Sequence, residues 1–176
     1  MSVLTLPGSR LDRSCSWQIA TRRASSGFAL TRREADGLYL EVGDLDVGGP
    51  AAGQGHGVTR VRLADEGQVL VRCDLAPPAL LAAAQGAHLV PAGGRTEEEI
   101  RLEQGELLVI CSADALEHLP NGLRSVSEHF CAAAHLDVDE VLDQVIAYSP
   151  AGAAAVVWWT EQDGEDAMHE PTRKEF

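Results

Sequence analysis

The segment Gly37-Leu-Tyr-Leu-Glu-Val-Gly-Asp-Leu-Asp-Val-Gly-Gly-Pro-Ala-Ala52 joins an alternating apolar strand to an acidic, glycine-rich bend. A carboxylate at the end of a strand presents oxygen atoms of the kind that hard divalent cations prefer as ligands. The glycines that follow allow the backbone to approach closely and to adopt positive φ. The same pattern also describes an ordinary hairpin corner, so its meaning depends on the segments around it.

Length and composition indicate one globular domain. The chain has 176 residues, of which 45% are hydrophobic, and that is enough for a domain with a buried core. No apolar run approaches the ~20 residues that span a bilayer, and the first ten residues lack the apolar stretch of a signal peptide. We therefore expect a cytoplasmic protein with one domain over residues 1–160, followed by an acidic, disordered tail over 161–176.

Charge and cysteine content exclude several classes of function. The net charge of −13 argues against a nucleic-acid or anionic-membrane partner, because phosphate groups would be repelled. The cysteines lie far apart in the sequence and form no Cys-x-x-Cys pair, so neither a zinc site nor a disulfide framework is expected. We predict that they are buried, reduced thiols.

Alternating apolar residues and glycine- or proline-rich breaks predict many short strands. Helices are expected only late in the chain, at 114–119, 123–134 and 137–148, the last with an apolar stripe at helical spacing. This order indicates an α+β fold built on antiparallel sheets. The predicted strands are 15–23, 26–33, 37–43, 58–63, 69–75, 79–84, 89–90, 107–111 and 153–160, with 107–111 buried on both faces.

Several short motifs follow one another along residues 15–160. They are Ser26-Gly27-Phe28, Gly43-Asp44-Leu45-Asp46-Val47-Gly48-Gly49 with Ala51-Ala52, Cys73-Asp74-Leu75-Ala76-Pro77-Pro78, Gly105-Glu106-Leu107-Leu108-Val109-Ile110-Cys111-Ser112-Ala113-Asp114, and Ala151-Gly152. Their order and spacing resemble the metal-dependent PPM-type serine/threonine phosphatases, and most of all the bacterial sporulation-stage-II-E and stressosome-type branch. The resemblance implies a PPM phosphatase-like α/β sandwich of two antiparallel sheets.

One departure from the family is a deletion. The family places one or two long helices after the paired alanines, whereas here five residues, 53–57, lead directly into the next strand. The central helices on one side of the sandwich are therefore expected to be largely deleted, which leaves one sheet face nearly bare. A homodimer or a partner protein is expected to cover it.

A second departure concerns the chemistry. The resemblance implies two Mn²⁺ or Mg²⁺ ions, held by carboxylates, that activate a bridging water for attack on phosphoserine or phosphothreonine. Among the family's acidic positions, Asp44 keeps its carboxylate. Phe28, Ala113, Ala151 and Gly152 stand where the other aspartates are expected. No catalytic residue is therefore assigned.

Two further carboxylates are candidates for a reduced metal site with Asp44. Asp114 would reach it after a one-residue slip, and Asp46 by turning in from the corner. The favoured structural interpretations are a turn residue for Asp46 and a cap of the short helix for Asp114. The backbone at Gly43, Gly48 and Gly49, together with His56, is the candidate phosphate neighbourhood.

Three functions are consistent with these residues. The first is a pseudophosphatase, a signalling module that binds a phosphorylated regulatory protein or its kinase without hydrolysing phosphate. The second is an active phosphatase that uses Mn²⁺ or Mg²⁺ at the reduced site. The third is a homodimeric assembly module that associates through the bare sheet face.

Overall fold

Eleven β-strands account for most of the described chain in the computed structural model. The structure describes residues 2–7, 15–24, 26–45, 57–83, 85–117, 142–143 and 151–161. The strands are β1 (Ser2–Pro7), β2 (Cys15–Arg23), β3 (Gly27–Glu34), β4 (Gly37–Asp44), β5 (Val58–Leu63), β6 (Gln68–Asp74), β7 (Ala79–Ala83), β8 (Gly86–Val90), β9 (Glu97–Arg101), β10 (Leu107–Cys111) and β11 (Ala153–Glu161), and a short helix, α1, spans Ala113–Glu117.

The strands form two sheets. One has six strands in the order β1-β2-β11-β10-β7-β8, and the other has five in the order β3-β4-β5-β6-β9. Every pairing is antiparallel. The predicted sandwich of two antiparallel sheets with few helices is therefore confirmed for the described residues.

The core between the sheets follows from the alternation within each strand. In β4, Leu38, Leu40 and Val42 are buried, whereas Tyr39 and Glu41 lie on the opposite face. Side chains two residues apart share one face of a strand, so a polar–apolar alternation places one face in the core. The same rule places Val61 and Leu63 of β5 inside the sandwich.

The six-stranded sheet is buried on both faces at its centre. Leu108 and Ile110 of β10 face the inter-sheet core, while Val109 and Cys111 belong to a second cluster on the outer face. The prediction of a doubly buried strand at 107–111 is thus confirmed. Leu142, one of the two described helical residues at 142–143, is fully buried in that outer cluster. The short helix predicted at 114–119 corresponds to α1, and the helices predicted at 123–134 and 137–148 lie outside the described residues apart from 142–143.

The adjacent tryptophans of β11 point to opposite faces, as expected for a strand. Trp159 meets Trp17 with ring centroids 4.5 Å apart and an interplanar angle of 54°. The indole of Trp17 donates to the carbonyl oxygen of Ala64 at 3.1 Å. Trp158 packs instead against the outer cluster. One ring therefore closes the inter-sheet core, and the other covers the outer face.

The outer face of the five-stranded sheet is polar. Arg60 lies within ion-pair distance of Glu41 at 3.3 Å and of Asp74 at 3.7 Å. Arg62 approaches Asp36 at 3.5 Å, and Arg72 approaches Glu97 on β9 at 3.9 Å. Strands β4 and β5, which flank the predicted deletion, both belong to this sheet. Its charged side chains pair across the strands and remain hydrated.

Two strand assignments differ from the sequence prediction. Residues 2–7 form β1, which pairs with β2 from Ser2↔Thr21 to Pro7↔Ser16. The acidic stretch 97–101, for which the sequence predicted no strand, forms β9. Among the described residues, no helix is long and apolar enough to cross a membrane.

Candidate functional site

The motif residues meet at one end of the sandwich. There β4 ends at Asp44, directly opposite Gly27 at the start of β3. On the other sheet, β10 ends beside the start of β11, with Cys111 opposite Ala154. Antiparallel strands alternate in direction, so each strand end lies beside the beginning of its neighbour. Motifs that are far apart in sequence are thereby brought together.

Asp44 connects the two sheets through a hydrogen bond. Its Oδ2 atom accepts from the backbone N–H of Asp114 at 3.3 Å. Its Oδ1 atom is buried and has no hydrogen-bond partner among the described residues. A buried carboxylate oxygen without a partner is costly, because its lost hydration is not replaced. This atom is therefore the feature of the site most favourable to a cation.

Asp114 contributes its backbone to this contact and lies in the first turn of α1. The sequence interpretation of Asp114 as the helix cap is wrong in detail, because α1 begins one residue earlier, at Ala113. Ser112 occupies the capping position, and its Oγ accepts from the backbone N–H of Ala115 at 3.4 Å. A serine immediately before a helix that binds the third helical N–H is the usual N-cap arrangement.

Phe28 fills the position of the first expected aspartate. It pairs with Gly43 across β3 and β4. A Cβ atom added to Gly43 would lie 2.9 Å from Cζ of Phe28 and 2.7 Å from the carbonyl oxygen of Gly57. Gly43, a candidate for the phosphate neighbourhood, is thus required by packing between this ring and the next strand.

Gly152 stands just before β11, at one of the positions where the resemblance implies an aspartate. It contacts both sheets. Its N–H donates to Oγ of Ser26 at 2.8 Å, and its carbonyl oxygen accepts from Ala24 N–H at 2.7 Å. Ser112 Oγ accepts from the N–H of Ala153 at 3.0 Å. Neutral backbone and hydroxyl groups therefore meet where the family resemblance implies carboxylates and cations.

The remaining candidates lie outside the described residues. They are Asp46, Gly48, Gly49 and His56. Their proposed roles as a metal ligand and as the phosphate neighbourhood stay predictions. The structure thus brings Asp44 and Asp114 together, with the side chain of Asp44 and the backbone of Asp114 in contact.

The described residues do not fit a two-metal centre. Among them, no group of three or more histidine, cysteine, aspartate or glutamate side chains is placed to share an ion. Hard cations require several oxygen ligands, whereas Phe28, Ala113 and Gly152 supply no side-chain oxygen. The buried Oδ1 of Asp44 fits at most one ion held together with groups beyond the described residues.

Ser26 and Ser112 have roles that the sequence reasoning missed. Both stood within quoted motifs, Ser26-Gly27-Phe28 and the segment ending Ser112-Ala113-Asp114. The Ser26 hydroxyl accepts from the N–H of Gly152, and the Ser112 hydroxyl accepts from the N–H of Ala153 at the start of the neighbouring strand of the same sheet. A serine next to a glycine at a strand end is a signal for such contacts. It does not identify the partner, which is 126 residues away for Ser26.

The cysteines described in full agree with the prediction of buried thiols. Cys73 and Cys111 are free and buried. Complete burial raises the pKa of Cys111 to about 12. Burial also raises the pKa of Cys73, opposed by a contact with the Thr59 hydroxyl. Neither thiol has the lowered pKa of a nucleophilic cysteine.

Comparison with known proteins shows a likeness in structure. No protein-family model matches the sequence, and no curated protein matches it either. The structure of the RsbU and RsbW domains of a Mycobacterium tuberculosis protein superposes with a TM-score of 0.64 at 13% identity. That match covers 89% of this chain and 62% of the other, so this chain spans less than two thirds of it.

For two further solved structures, the match covers nearly the whole length of the other chain. The phosphatase domain of the cell fate determinant SpoIIE from Bacillus subtilis has a TM-score of 0.58 at 12% identity, covering 89% of this chain and 97% of that one. RsbX in complex with magnesium has a TM-score of 0.54 at 10% identity, covering 91% of this chain and 100% of that one. At such low identities the likeness establishes the fold alone.

Proposed function

Because the chain has the fold of the PPM-type phosphatase domains of the SpoIIE and Rsb branch, we propose that it is a pseudophosphatase. In this proposal it is a cytoplasmic signalling module that recognises a phosphorylated regulatory protein, or the kinase of that protein, and does not hydrolyse the phosphate. The observation that best supports this proposal is the type of side chain found at the strand ends. The strands converge as in a phosphatase, but the residues at most of the ligand positions carry no side-chain oxygen.

The electrostatics of phosphate hydrolysis support this proposal. Attack on a phosphoryl group requires positive charge to stabilise the developing negative charge and to activate the water. Asp44 accepts from the backbone N–H of Asp114, and the Phe28 ring lies against the adjacent Gly43. A ring and one neutral amide supply far less positive potential than two divalent cations. Hydrolysis would therefore lack its principal source of stabilisation.

The proposed partner class is the one that the family resemblance implies. A structural neighbour whose description concerns the bacterial stressosome supports this choice. We carry over only the class, a phosphorylated regulatory protein or its kinase. Gly43, Gly48, Gly49 and His56 remain the proposed phosphate neighbourhood. A homodimer through the outer face of the five-stranded sheet belongs to the same proposal.

A second candidate function rests on the buried Oδ1 of Asp44. In this alternative the chain is an active phosphatase with one Mn²⁺ or Mg²⁺ at Asp44, Asp46 and Asp114. A bound cation would lower the pKa of a coordinated water. The residues of the chain would then hold the ion and orient the phosphate. The buried Oδ1 of Asp44, which has no partner among the described residues, is the observation that favours this alternative.

The deciding experiment combines calorimetry with hydrolysis of p-nitrophenyl phosphate and of a phosphoserine peptide, in millimolar Mn²⁺ or Mg²⁺. We expect neither hydrolysis nor heat of metal binding. Asp44→Asn tests the site, and Asp74→Asn is the matched control, because Asp74 also ends a strand of the same sheet, β6, but is exposed. Activity that Asp44→Asn abolishes and Asp74→Asn retains would favour the second candidate.

A further inference from the structure

We propose that a metal-free junction of serine hydroxyls and glycine backbones joins the two sheets where this fold would otherwise hold its cations. The junction consists of Ser26, Gly27, Ser112 and Gly152. The inference rests on the proposed function for the location of the site. Its test measures folding stability, which is independent of any phosphatase assay.

The first support is the close approach of two glycines from different sheets. A Cβ atom added to Gly27 would overlap the carbonyl carbon of Gly152 and lie 2.5 Å from the nitrogen of Ala153. Real Cβ atoms do not approach backbone atoms so closely. Only a glycine at position 27 therefore lets the start of β3 touch the start of β11.

Gly152 is constrained from the other side as well. Its φ is +79°, a left-handed conformation that residues with a side chain rarely adopt. A Cβ atom there would overlap Oγ of Ser112 and lie 2.5 Å from the nitrogen of Ala115. The two glycines thus fill the space between the sheet ends with backbone. A carboxylate at position 152 would displace Ser112.

The second support is the set of hydrogen bonds that this approach permits. Both backbone polar groups of Gly152 are paired with the segment 24–26, through Ser26 Oγ at 2.8 Å and Ala24 N–H at 2.7 Å. The Ala24 bond extends the pairing of β2 with β11, and the Ser26 bond links Gly152 to the segment that leads into β3 of the other sheet. Buried backbone groups must be paired to avoid a desolvation cost, so these bonds stabilise the contact.

Ser112 completes the junction from β10. It is 1% exposed, and its Oγ accepts from Ala153 N–H at 3.0 Å and Ala115 N–H at 3.4 Å. A hydroxyl oxygen has two acceptor lone pairs, and both are used here. One buried atom therefore connects the end of β10, the first turn of α1 and the start of β11.

The consequence concerns what stabilises this end of the sandwich. A cluster of carboxylates repels itself unless cations neutralise it. The junction replaces such a cluster with neutral groups, which need no counter-ion. The folded state should therefore be as stable without divalent cations as with them.

The test is thermal unfolding of the full chain in EDTA and in millimolar Mn²⁺. We expect the same midpoint in both. Ser112→Ala should lower the midpoint by about 5 °C, since two buried amides lose their acceptor, and Ser26→Ala should lower it by less. A midpoint that Mn²⁺ raises, or a Ser112→Ala protein as stable as the parent, would overturn the junction.

A glycine pair provides the matched control. Gly152→Ala and Gly94→Ala introduce a methyl group at similar backbone angles, φ +79° and +76°, but only Gly152 has neighbours within 4 Å. We expect Gly152→Ala to lower the unfolding midpoint much more than Gly94→Ala does. Equal losses would contradict the junction. If Gly152→Ala yields no folded protein, the comparison of Ser112→Ala with the parent still decides.

The two proposals can fail separately. Hydrolysis abolished by Asp44→Asn, with a midpoint that Ser112→Ala still lowers, would reject the pseudophosphatase and keep the hydrogen bonds of the junction. A Ser112→Ala protein as stable as the parent, in a chain that shows no hydrolysis, would reject the junction and keep the pseudophosphatase. Each result is read from its own measurement.

Discussion

Single residues at this site show how the same backbone can serve a different purpose. Asp44 occupies the position of a metal ligand in the family resemblance, yet its Oδ2 atom binds a backbone amide of α1. Gly43 and Gly27 are required because neighbouring groups leave no room for a side chain. A glycine or an aspartate in a motif therefore indicates a close approach or an acceptor, and the neighbours decide which role it has.

Cys111 allows a prediction at the same scale. Burial raises its pKa from 9.0 to about 12. Between these values the unfolded state binds fewer protons than the folded state, so this thiol makes stability fall as pH rises from about 9 to 12. Below the lower value it has no effect. Between about pH 9 and 12 the unfolding midpoint of the parent should therefore fall more steeply with pH than that of Cys111→Ala.

The same burial protects Cys111 from alkylation in the folded state. Iodoacetamide should modify the peptide that contains Cys111 only in denaturant, as measured by mass spectrometry. Rapid modification of Cys111 in the native protein at mild alkaline pH would contradict its buried position, since the reactive species is the exposed thiolate.

The strands show which parts of an element depend on local pattern. The alternation in β4 and β5 places their faces correctly without knowledge of the partner strands. Strand β9 is different, because three consecutive glutamates disfavour a strand. There Ile100 pairs with Val69 and packs on the core, and Arg72 faces Glu97 across the strands. Cross-strand partners thus override the local preference.

Strand β5 supplies a prediction at the scale of an element. Leu63 is 1% exposed in the core, whereas Arg60 lies on the outer face. Leu63→Ala should cost about 2–5 kcal/mol, because it removes buried methyl groups and leaves a cavity. Arg60→Ala should cost less than about 1 kcal/mol, since its ion pairs are hydrated. Urea unfolding of both variants measures the contrast, and similar costs would show that the strand faces are misassigned.

At the scale of the whole molecule, the deletion between β4 and β5 has an evident compensation. A sheet face that loses its covering helices would expose apolar side chains unless its sequence changed. Here the outward positions carry arginines and acids that pair across strands. A polar face tolerates solvent, so the sandwich does not require a cover there for its own stability.

The proposed homodimer can be tested on this basis. Each chain carries a net charge of −13, so two copies repel one another and the repulsion is screened by salt. We expect sedimentation velocity to show a dimer fraction that rises with protein concentration and from low to physiological salt. Arg62→Glu, on the outer face, should reduce that fraction. A monomer under every condition would contradict the homodimer.

The sequence by itself determined the strands with clear alternation and the buried central strand β10. These features depend on residue types and their periodicity, which are local. It also predicted the loss of helices, since five residues cannot form them. The resemblance to a phosphatase sandwich followed from the order of these local features.

Only the tertiary structure decided how the strand ends meet. The chain passes from the six-stranded to the five-stranded sheet between Arg23 and Gly27, although consecutive strands usually pair with one another. Likewise, the contact of Ser26 with Gly152 joins residues far apart in sequence. Such contacts depend on the packing of the two sheets as a whole. No periodicity within either segment contains that information, and the site is built from these contacts.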